Sequence, residues 1–311
     1  MRKTLFYLFA LAAVFCSCSS DDSTYDPYNF QEKTPFYPKE IKIEKQSLKR
    51  EITENWAFEY GKNNNISAYT HTTITKLQKE GYTETTTETE TGSLSYYNGS
   101  IANRITIVKE VSGFDYEKFQ KQDIIENAEC SDGRITAIKR LIDNYNKEGE
   151  KESSLTTSRT FTYIGDYCTE STYTDADNAE SAATHTYTYN WDGRHNLTSI
   201  DVEEKERNAR TRKQYKFEYG KLSNDYGFRI NAFLHNQMPH IYAAMGYFGK
   251  DCPYNIETEQ QTFRIFIDGQ WETDNSSDNK MFTLINNGSD ELKYDISSDI
   301  YNTSYYIKFI K

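Results

Sequence analysis

Hydrophobic and polar residues alternate along much of this chain, and the alternation is clearest at Thr184–Val202. In its first half an aromatic or imidazole ring falls at every second position: His185, Tyr187, Tyr189 and Trp191. This is the period of a strand with one packed face and one wet face. Asp192-Gly193 then gives a turn signal, because glycine accepts a positive φ at no steric cost. The segment therefore predicts a β-hairpin.

Shorter copies of this hairpin recur. The run FEYGK at Phe58–Lys62 returns letter for letter at Phe217–Lys221. An apolar–hydroxyl–small–apolar pattern occurs at Ile66–Tyr69, Ile135–Ile138 and Leu197–Ile200. Apolar residues three apart break strict alternation, so we expect the first to close the turn or sit at a bulge and the second to begin the regular strand.

Turn signals punctuate the chain at a spacing of roughly thirty residues, typical of stacked supersecondary units. They lie near Asn63, Asn98–Gly99, Asp132–Gly133, Gly165–Asp166, Asp192–Gly193 and Gly220–Lys221. Units of this kind favour an antiparallel meander in which each strand pairs with the next. The predicted fold class is mainly β, an antiparallel meander of repeated hairpins that forms a strongly curved sheet or incomplete barrel. A closed barrel is the alternative to an open sheet.

The segment Gly81–Ser95 carries threonine on one face and mostly glutamate on the other, so neither face can be core. We expect it to be wet on both sides, as a projecting hairpin, a single-layer sheet or a strand facing a water-filled lumen. It also argues against a membrane-spanning barrel, whose outward face needs an apolar band.

A helical segment is expected near residues 229–248. Its apolar residues fall three and four apart, the stripe of an amphipathic helix: Ile230, Phe233, Leu234, Met238, Ile241, Tyr242 and Met245. Pro239 should split it into two short helices, and Gly246 and Gly249 can end the second. We expect the helices to cover one end or face of the sheet. Strands return at Phe263–Ile267, Met281–Ile285 and Tyr305–Ile310.

The composition favours aromatic rather than aliphatic packing, with 26 Tyr, 17 Phe and a mean hydropathy of −0.84. Such rings bury a large area while keeping a polar tip wet. A formal net charge of −11 repels phosphate backbones, so we predict no nucleic-acid partner.

The sequence predicts no catalytic residue, no metal site and no cofactor. The sequence contains no nucleophile elbow, phosphate loop or zinc-protease motif. His235 and His240 lie five apart with Pro239 between them, which is poor geometry for two ligands on one helical face. The protein is therefore predicted not to be an enzyme. A hydrolase with an unrecognised site is the less favoured alternative.

The first residues predict export. Arg2 and Lys3 precede the apolar run Leu5–Phe15, which is too short to cross a bilayer and is typical of a signal peptide over residues 1–17. Phe15-Cys16-Ser17-Cys18 resembles a bacterial lipobox with Cys18 as the acylated residue. Cys16 is the rival, but bulky Phe15 would then sit at the cleavage edge. The resemblance implies more than one acyl chain on Cys18, enough for stable anchoring.

Residues 18–38 are then a lipidated tether, and residues 39–311 a repeat-built β domain. The run Ser19–Asp22 is similar to the acidic tether that directs many Bacteroidetes lipoproteins to the outer face of the outer membrane. Beyond Cys18 the chain keeps Cys130, Cys168 and Cys252. An oxidising envelope allows one disulfide among them, and the sequence does not choose the pair.

With these residues laid out, the chain resembles a Bacteroidetes lipoprotein family of unknown function that is described as porin-like in fold. The resemblance rests on the lipobox at Cys18, the aromatic–turn–apolar hairpins and the helical stretch ending at Gly246–Lys250, and it covers about Glu40 to the end. The hairpin Tyr187–Ile200 is also similar to the YD repeats of Rhs-type proteins. The resemblance implies a strongly curved antiparallel sheet or incomplete barrel, without a known activity.

The predicted function is a lipid-anchored outer-membrane or cell-surface lipoprotein that binds or scaffolds without catalysis. Trp56, Trp191 and Trp271 can stack on sugar rings, although cross-strand packing is the commoner role of strand aromatics. The expected partners are the membrane, through the anchor, and a glycan or protein ligand. The alternative is a periplasm-facing structural or assembly lipoprotein.

Overall fold

The computed structural model describes residues 37–61, 64–96, 101–113, 120–175, 183–206, 209–224, 230–234, 240–247, 249–267, 270–274, 278–287 and 290–310. The signal peptide, Cys18 and nearly all of the tether lie outside these ranges. So do the predicted turns at Asn63 and Asn98–Gly99, together with His235, Met238 and Pro239.

The described residues form seventeen strands and two short helices. The strands are β1 Pro38–Gln46, β2 Arg50–Tyr60, β3 Ile66–Lys79, β4 Tyr82–Tyr96, β5 Ala102–Gly113, β6 Lys121–Ser131, β7 Arg134–Tyr145, β8 Lys151–Ile164, β9 Tyr167–Asp175, β10 Thr184–Trp191, β11 Leu197–Glu206, β12 Ala209–Ser223, β13 Tyr254–Ile267, β14 Gln270–Asp274, β15 Asn279–Asn287, β16 Glu291–Ser298 and β17 Asn302–Phe309. The helices are α1 Ile230–Leu234 and α2 His240–Ala244.

The predicted antiparallel meander is confirmed. Each strand pairs with the next along the chain, except that β13 pairs with β14 at one end and with β15 at the other. β1 uses one edge for β2 and the other for β17, with Ile41 opposite Ile307 and Ile43 opposite Tyr305. This last pairing joins the two ends of the meander, so the prediction of an incomplete barrel is wrong. The sheet closes into a barrel of sixteen strands, with β14 as a side branch.

The barrel wall has an apolar inner face and a polar outer face. Buried inward side chains come from all around the sheet: Ile41, Trp56, Ile105, Ile138, Ile200, Phe217 and Tyr294. The outer face alternates with them and is rich in hydroxyl and charged groups, as in the row Thr85, Thr87, Thr89 and Thr91 and the row Arg210, Arg212, Gln214 and Lys216. Such a face is built for contact with water, whereas a lipid-facing barrel carries an apolar band.

The Thr/Glu strand β4 lies within this wall. Its threonines other than Thr86 face outward, and its glutamates face the barrel interior. There Glu88 pairs with Lys109 of β5 at 2.6 Å, and the Tyr69 hydroxyl donates to Glu90 at 2.5 Å. Of the three arrangements expected from the sequence, the strand that faces the lumen is the one observed. Its glutamates are only partly exposed, because side chains of the neighbouring strands pair with them.

The apolar–hydroxyl–small–apolar pattern marks a β-bulge, as predicted. At the start of β11, Leu197 faces Trp191 and Ser199 faces Asn190, so Thr198 is the extra residue. The extra residue resets the alternation, and both Leu197 and Ile200 point into the barrel. Each bulge residue uses its hydroxyl to donate to the facing strand's carbonyl: Ser67 to Glu59 (3.2 Å), Thr136 to Glu129 (3.3 Å), Thr169 to Thr162 (3.2 Å) and Thr198 to Asn190 (3.0 Å).

The FEYGK repeat has an equally local explanation. Its tyrosine donates its hydroxyl to the first backbone carbonyl of the preceding strand; Tyr60 ends β2, whereas Tyr219 lies within β12. Tyr60 reaches Pro38 at 2.7 Å, and Tyr219 reaches Leu197 at 2.9 Å. Tyr96 makes the same bond to Ile66 at 2.7 Å. The repeat thus ties neighbouring hairpins together at one end of the barrel.

The hairpin of β10 and β11 forms at the predicted place, but its turn differs from the expectation. Gly193 does not take a positive φ; His195 does, at 65°. The carboxylate of Asp192 holds the loop by accepting the backbone N–H groups of Arg194 (2.8 Å) and Asn196 (2.9 Å). This aspartate-held turn replaces the glycine-based turn that the sequence suggested.

The two predicted helices are confirmed, and α2 ends as expected. Gly246 takes a φ of 77°, its N–H donates to the Ala243 carbonyl (3.1 Å), and the Tyr247 N–H donates to the Tyr242 carbonyl (2.9 Å). This is the Schellman pattern of a helix C-terminus. Neither helix in the described ranges is long and apolar enough to span a membrane.

The helices lie inside the barrel and do not merely cover its end or outer face. We call the described residues of α1, α2 and the following chain to Lys250 the plug. Asn231 of α1 accepts the N–H of Ile256 on β13 at 3.0 Å. On α2, the Tyr242 hydroxyl donates to Glu126 of β6 at 3.1 Å, and His240 packs against the Trp56 ring of β2 at 5.8 Å. The plug therefore crosses the lumen between opposite walls.

Candidate binding pocket

A pocket of about 450 Å³ opens at the end of the barrel where the bulged hairpins turn. Its walls come from the ends of the β2–β3, β4–β5, β6–β7 and β8–β9 hairpins, and plug residues Ala244–Gly246 contribute to its base. We call it the rim pocket and define it by the side chains that carry its chemistry: Tyr37, Tyr60, Tyr96, Tyr163, Arg134 and Asp166. Its volume is within the range of small-molecule sites.

The tyrosine rings of the rim pocket are held in place by their own hydroxyls. Tyr60 and Tyr96 make the strand-tying bonds described above, and the Tyr163 hydroxyl donates to the Tyr247 carbonyl of the plug at 2.5 Å. Tyr37 packs edge-on against Tyr60 with ring centres 5.6 Å apart. Burial raises the pKa of Tyr96 to about 12 and that of Tyr60 further, so both phenols are neutral at physiological pH.

Asp166 organises the charged side of the pocket. It accepts Lys250 Nζ at 3.2 Å and Arg134 Nη2 at 3.0 Å, and these two cations lower the pKa of its carboxyl group. The Arg134 guanidinium also lies 5.9 Å from the centre of the Tyr163 ring. Asp132, in the β6–β7 turn, adds a second carboxylate, so the acidic and basic groups named here balance.

Gly249 allows the plug to reach this rim. It has a φ of 75°, and a Cβ atom there would overlap the backbone carbonyl of Asp166. The next residue, Lys250, donates its backbone N–H to that same carbonyl at 2.9 Å. The end of the plug and the β8–β9 turn are therefore one fixed unit.

Two buried carboxylates, Glu54 on β2 and Glu126 on β6, hold the plug from two places on the wall. Glu54 accepts Lys45 at 2.6 Å and lies 3.5 Å from His71 and 4.0 Å from His240. Burial alone would raise the pKa of Glu54, but the His71 hydrogen bond and the Lys45 charge outweigh it and hold the pKa at about 2. The pKa of His240 is also lowered, to about 4, but here burial is the cause and outweighs the nearby Glu54, which would raise it.

Glu126, only 3% exposed, forms the second docking point. It pairs with Arg140 at 3.3 Å and accepts the Tyr242 hydroxyl. Burial raises the pKa of Glu126, and Arg140 opposes the rise. These groups are closed off from solvent, so we assign them to fixing the plug. Within the part of the chain that the structure describes, no three His, Cys, Asp or Glu side chains are grouped to hold a metal ion.

The three tryptophans singled out from the sequence do not share a surface. Trp56 is 5% exposed inside the barrel and stacks on His71 at 3.7 Å. Trp191 is half-buried, and its ring N–H donates to the Cys168 carbonyl at 2.8 Å. Trp271 lies on the outer wall, where Arg212 sits 4.5 Å from its ring centre.

The tyrosines of the rim pocket carried a signal that the sequence analysis did not use. Tyr60 is the third letter of the FEYGK repeat, and in the structure it ends β2 next to a turn. The three cysteines of the barrel are all free thiols, with Cys130 exposed and Cys168 and Cys252 buried. Cys18 lies outside the described residues.

A closed barrel with a plugged lumen defines the chain as a protein of porin-like fold. Two solved structures share this fold, both described as porin-like proteins. The one from Bacteroides uniformis is 13% identical over 89% of this chain and 98% of its own, with a TM-score of 0.53. The one from Bacteroides vulgatus is 10% identical over 88% and 99%, with a TM-score of 0.55.

No protein-family model matches the sequence, and no curated protein matches it either. At identities this low the similarity shows the fold alone. The porin-like fold implied by the sequence resemblance is confirmed. The membership in a lipoprotein family and the likeness to YD repeats gain no support from these comparisons.

Proposed function

We propose that this chain is a lipid-anchored outer-membrane lipoprotein, displayed at the cell surface, whose barrel stands in water and acts as a binding module without catalysis. The observation that carries the proposal is the rim pocket, an open cavity with ordered aromatic and charged groups on a rigid closed wall. Rings locked by hydrogen bonds reduce the entropy that a ligand must overcome on binding. Neither a cofactor nor a nucleic acid enters this proposal.

The filled lumen favours binding over conduction. The α2 residues His240, Ile241, Tyr242 and Ala243 are all buried inside the barrel. The hydrogen bond from Tyr242 to Glu126 and the approach of His240 to Glu54 fix α2 from two walls. An open channel would require these contacts to break, and the polar outer wall gives the barrel no reason to enter a bilayer.

Anchoring through Cys18 is tested by replacing each candidate cysteine. We expect Cys18→Ser to abolish incorporation of an alkyne-labelled fatty acid and Cys16→Ser to retain it. Protease shaving of intact cells then gives the orientation. Loss of the protein supports surface display, and protection would instead support the periplasm-facing alternative. Labelling that survives Cys18→Ser contradicts the proposed anchor.

Binding is tested by using the purified full-length protein as bait on a glycan array and in a surface-protein capture experiment. Arg134→Gln serves as the matched variant, since it removes the charge from the rim while keeping most of the side-chain volume. A ligand held by the natural protein and lost with Arg134→Gln supports the proposed module. Capture of nothing in either format, or capture that Arg134→Gln leaves unchanged, contradicts it.

A further inference from the structure

We propose that the rim pocket binds a neutral saccharide, one or two sugar units at the end of a glycan chain. This inference rests on the proposed binding function and names its ligand class. It comes from three features of the pocket: its aromatic rings, its balanced charge and its accessible position.

The rings supply the stacking surface. Five tyrosines line one small cavity, and four of them, all but Tyr37, donate their hydroxyls to backbone carbonyls at 2.5 to 3.0 Å. The electron-rich face of an aromatic ring attracts polarised C–H groups, and a sugar presents such groups on one face of its ring. Tyrosine offers this surface at little cost in side-chain entropy.

The charges argue for a neutral ligand. The two cations described in the lining, Arg134 and Lys250, both already bind Asp166. An anionic ligand would therefore compete with Asp166 and approach the carboxylate of Asp132. A cationic ligand would lie beside Arg134 and Lys250. Neither charge type is favoured by this arrangement.

The same groups suit hydroxyls. Arg134 and Lys250 are donors, Asp132 and Asp166 are acceptors, and the side chain of Asn65 offers both. A sugar hydroxyl both donates and accepts, so it can satisfy neighbours of either kind. A purely apolar ligand would displace water from these polar groups and offer them no hydrogen bond in return, which is costly.

The pocket is also open to a large glycan. The side chains of Arg134, Asp166 and Lys250 are 37%, 52% and 54% exposed. They stand on the outer side of the cavity, whereas the plug closes its inner side. A cavity of about 450 Å³ admits the end of a saccharide chain while the remainder stays in solvent.

The test is a binding titration of the full-length protein with an array of neutral and acidic glycans, followed by calorimetry on the best binders. Tyr37→Ala removes a ring that packs only edge-on against Tyr60, and Arg134→Gln removes a donor. Tyr306→Ala is the matched control, because this aromatic side chain lies between Lys42 and Lys293 away from the pocket. Circular dichroism and thermal melts check that each variant folds.

We expect saturable binding of neutral glycans, weakened about tenfold or more by Tyr37→Ala and by Arg134→Gln and unchanged by Tyr306→Ala. The inference is overturned if no neutral glycan on the array binds, if acidic glycans bind more tightly than their neutral counterparts, or if the pocket variants bind normally. Capture of a protein ligand that is lost with Arg134→Gln, without glycan binding, would overturn the saccharide inference and leave the binding module standing.

Discussion

Close packing inside the barrel limits the size of single side chains, and Gly92 on β4 is an example. It faces the ring of Tyr69, a fully buried side chain on β3, and a Cβ atom at position 92 would overlap that ring. Tyr69 has little freedom to move, because its hydroxyl is bound to Glu90. The size of this one side chain therefore limits what β4 can carry.

We expect Gly92→Ala to lower the free energy of unfolding by about 1–3 kcal/mol, the usual cost of overpacking a core. Gly193→Ala is the matched control, since nothing lies within 4 Å of the added atom. Urea unfolding of both variants measures the difference. Equal stabilities for the two variants would contradict the packing argument.

His240 makes stability depend on pH. Burial lowers its pKa to about 4 from an ordinary value of 6.5, so between these two pH values the unfolded chain binds a proton that the folded chain does not. The free energy of unfolding therefore falls as the pH drops through this window, by about 1.4 kcal/mol per pH unit in the limit. The groups that face His240 are Glu54, Lys45, His71 and the ring of Trp56.

We expect His240→Gln to flatten the stability curve between pH 6.5 and pH 4. Glu54 does not obscure the comparison, because its folded pKa of about 2 places most of its own loss of stability lower. Urea unfolding at a series of pH values gives the slopes. His195→Asn, in an exposed turn, is the control variant, and parallel curves for His240→Gln and the natural protein would refute the assignment.

At the scale of elements, local features such as bulges and helix ends could be predicted from the sequence, whereas the pairing of strands far apart in the chain could not. The bulge pattern at Leu197–Ile200 and the stop at Gly246 follow from a few neighbouring residues, so the sequence located both. The closing pair of β1 and β17 depends on residues far apart in the chain, and alternation alone did not show it. Trp56 was a candidate for stacking on sugars because the two-residue period of a strand does not show which face is inside.

The hydroxyl bulges should contribute measurably to the stability of their hairpins. We expect Thr136→Val and Thr198→Val each to lower the free energy of unfolding by about 0.5–1.5 kcal/mol, the net value of a hydrogen bond. The two sites have no shared partner, so the double variant should lose roughly the sum.

Thr89→Val is the control for these bulge variants, because Thr89 lies mid-strand on the outer face of β4, where valine is a good strand former. Chemical unfolding compares the four variants with the natural protein. If Thr89→Val costs as much as the bulge substitutions, the loss comes from the threonine side chain in general, and the bulge hydrogen bond has no special role.

The whole molecule presents its polar face outward. Large apolar side chains on the outer wall are scattered, as with Leu141 on β7 and Met281 on β15. Isolated residues of this kind are normal on a water-exposed surface. We therefore expect the barrel itself to stay in water, with the proposed anchor at Cys18 supplying the membrane attachment.

We expect the Cys18→Ser protein to remain monodisperse in buffer without detergent and to stay at the bottom of a liposome flotation gradient. The natural protein, anchored through Cys18 as proposed above, should float in the same gradient. Planar bilayers exposed to the Cys18→Ser protein should show no conductance. Flotation or channel activity of the unlipidated protein would mean that the wall itself enters the bilayer.

The seam between β1 and β17 also has a consequence for biogenesis. Glu40 and the lysine that meets it there, Lys308, stand 268 positions apart, so a ribosome delivers the second long after the first. Until β17 is synthesised, the sheet has two unpaired edges, and unpaired strand edges promote aggregation. A stop codon in place of Asn302 would remove all of β17 and leave those edges unjoined. We expect cellular quality control to degrade such a product, although nearly all of its hairpins could form.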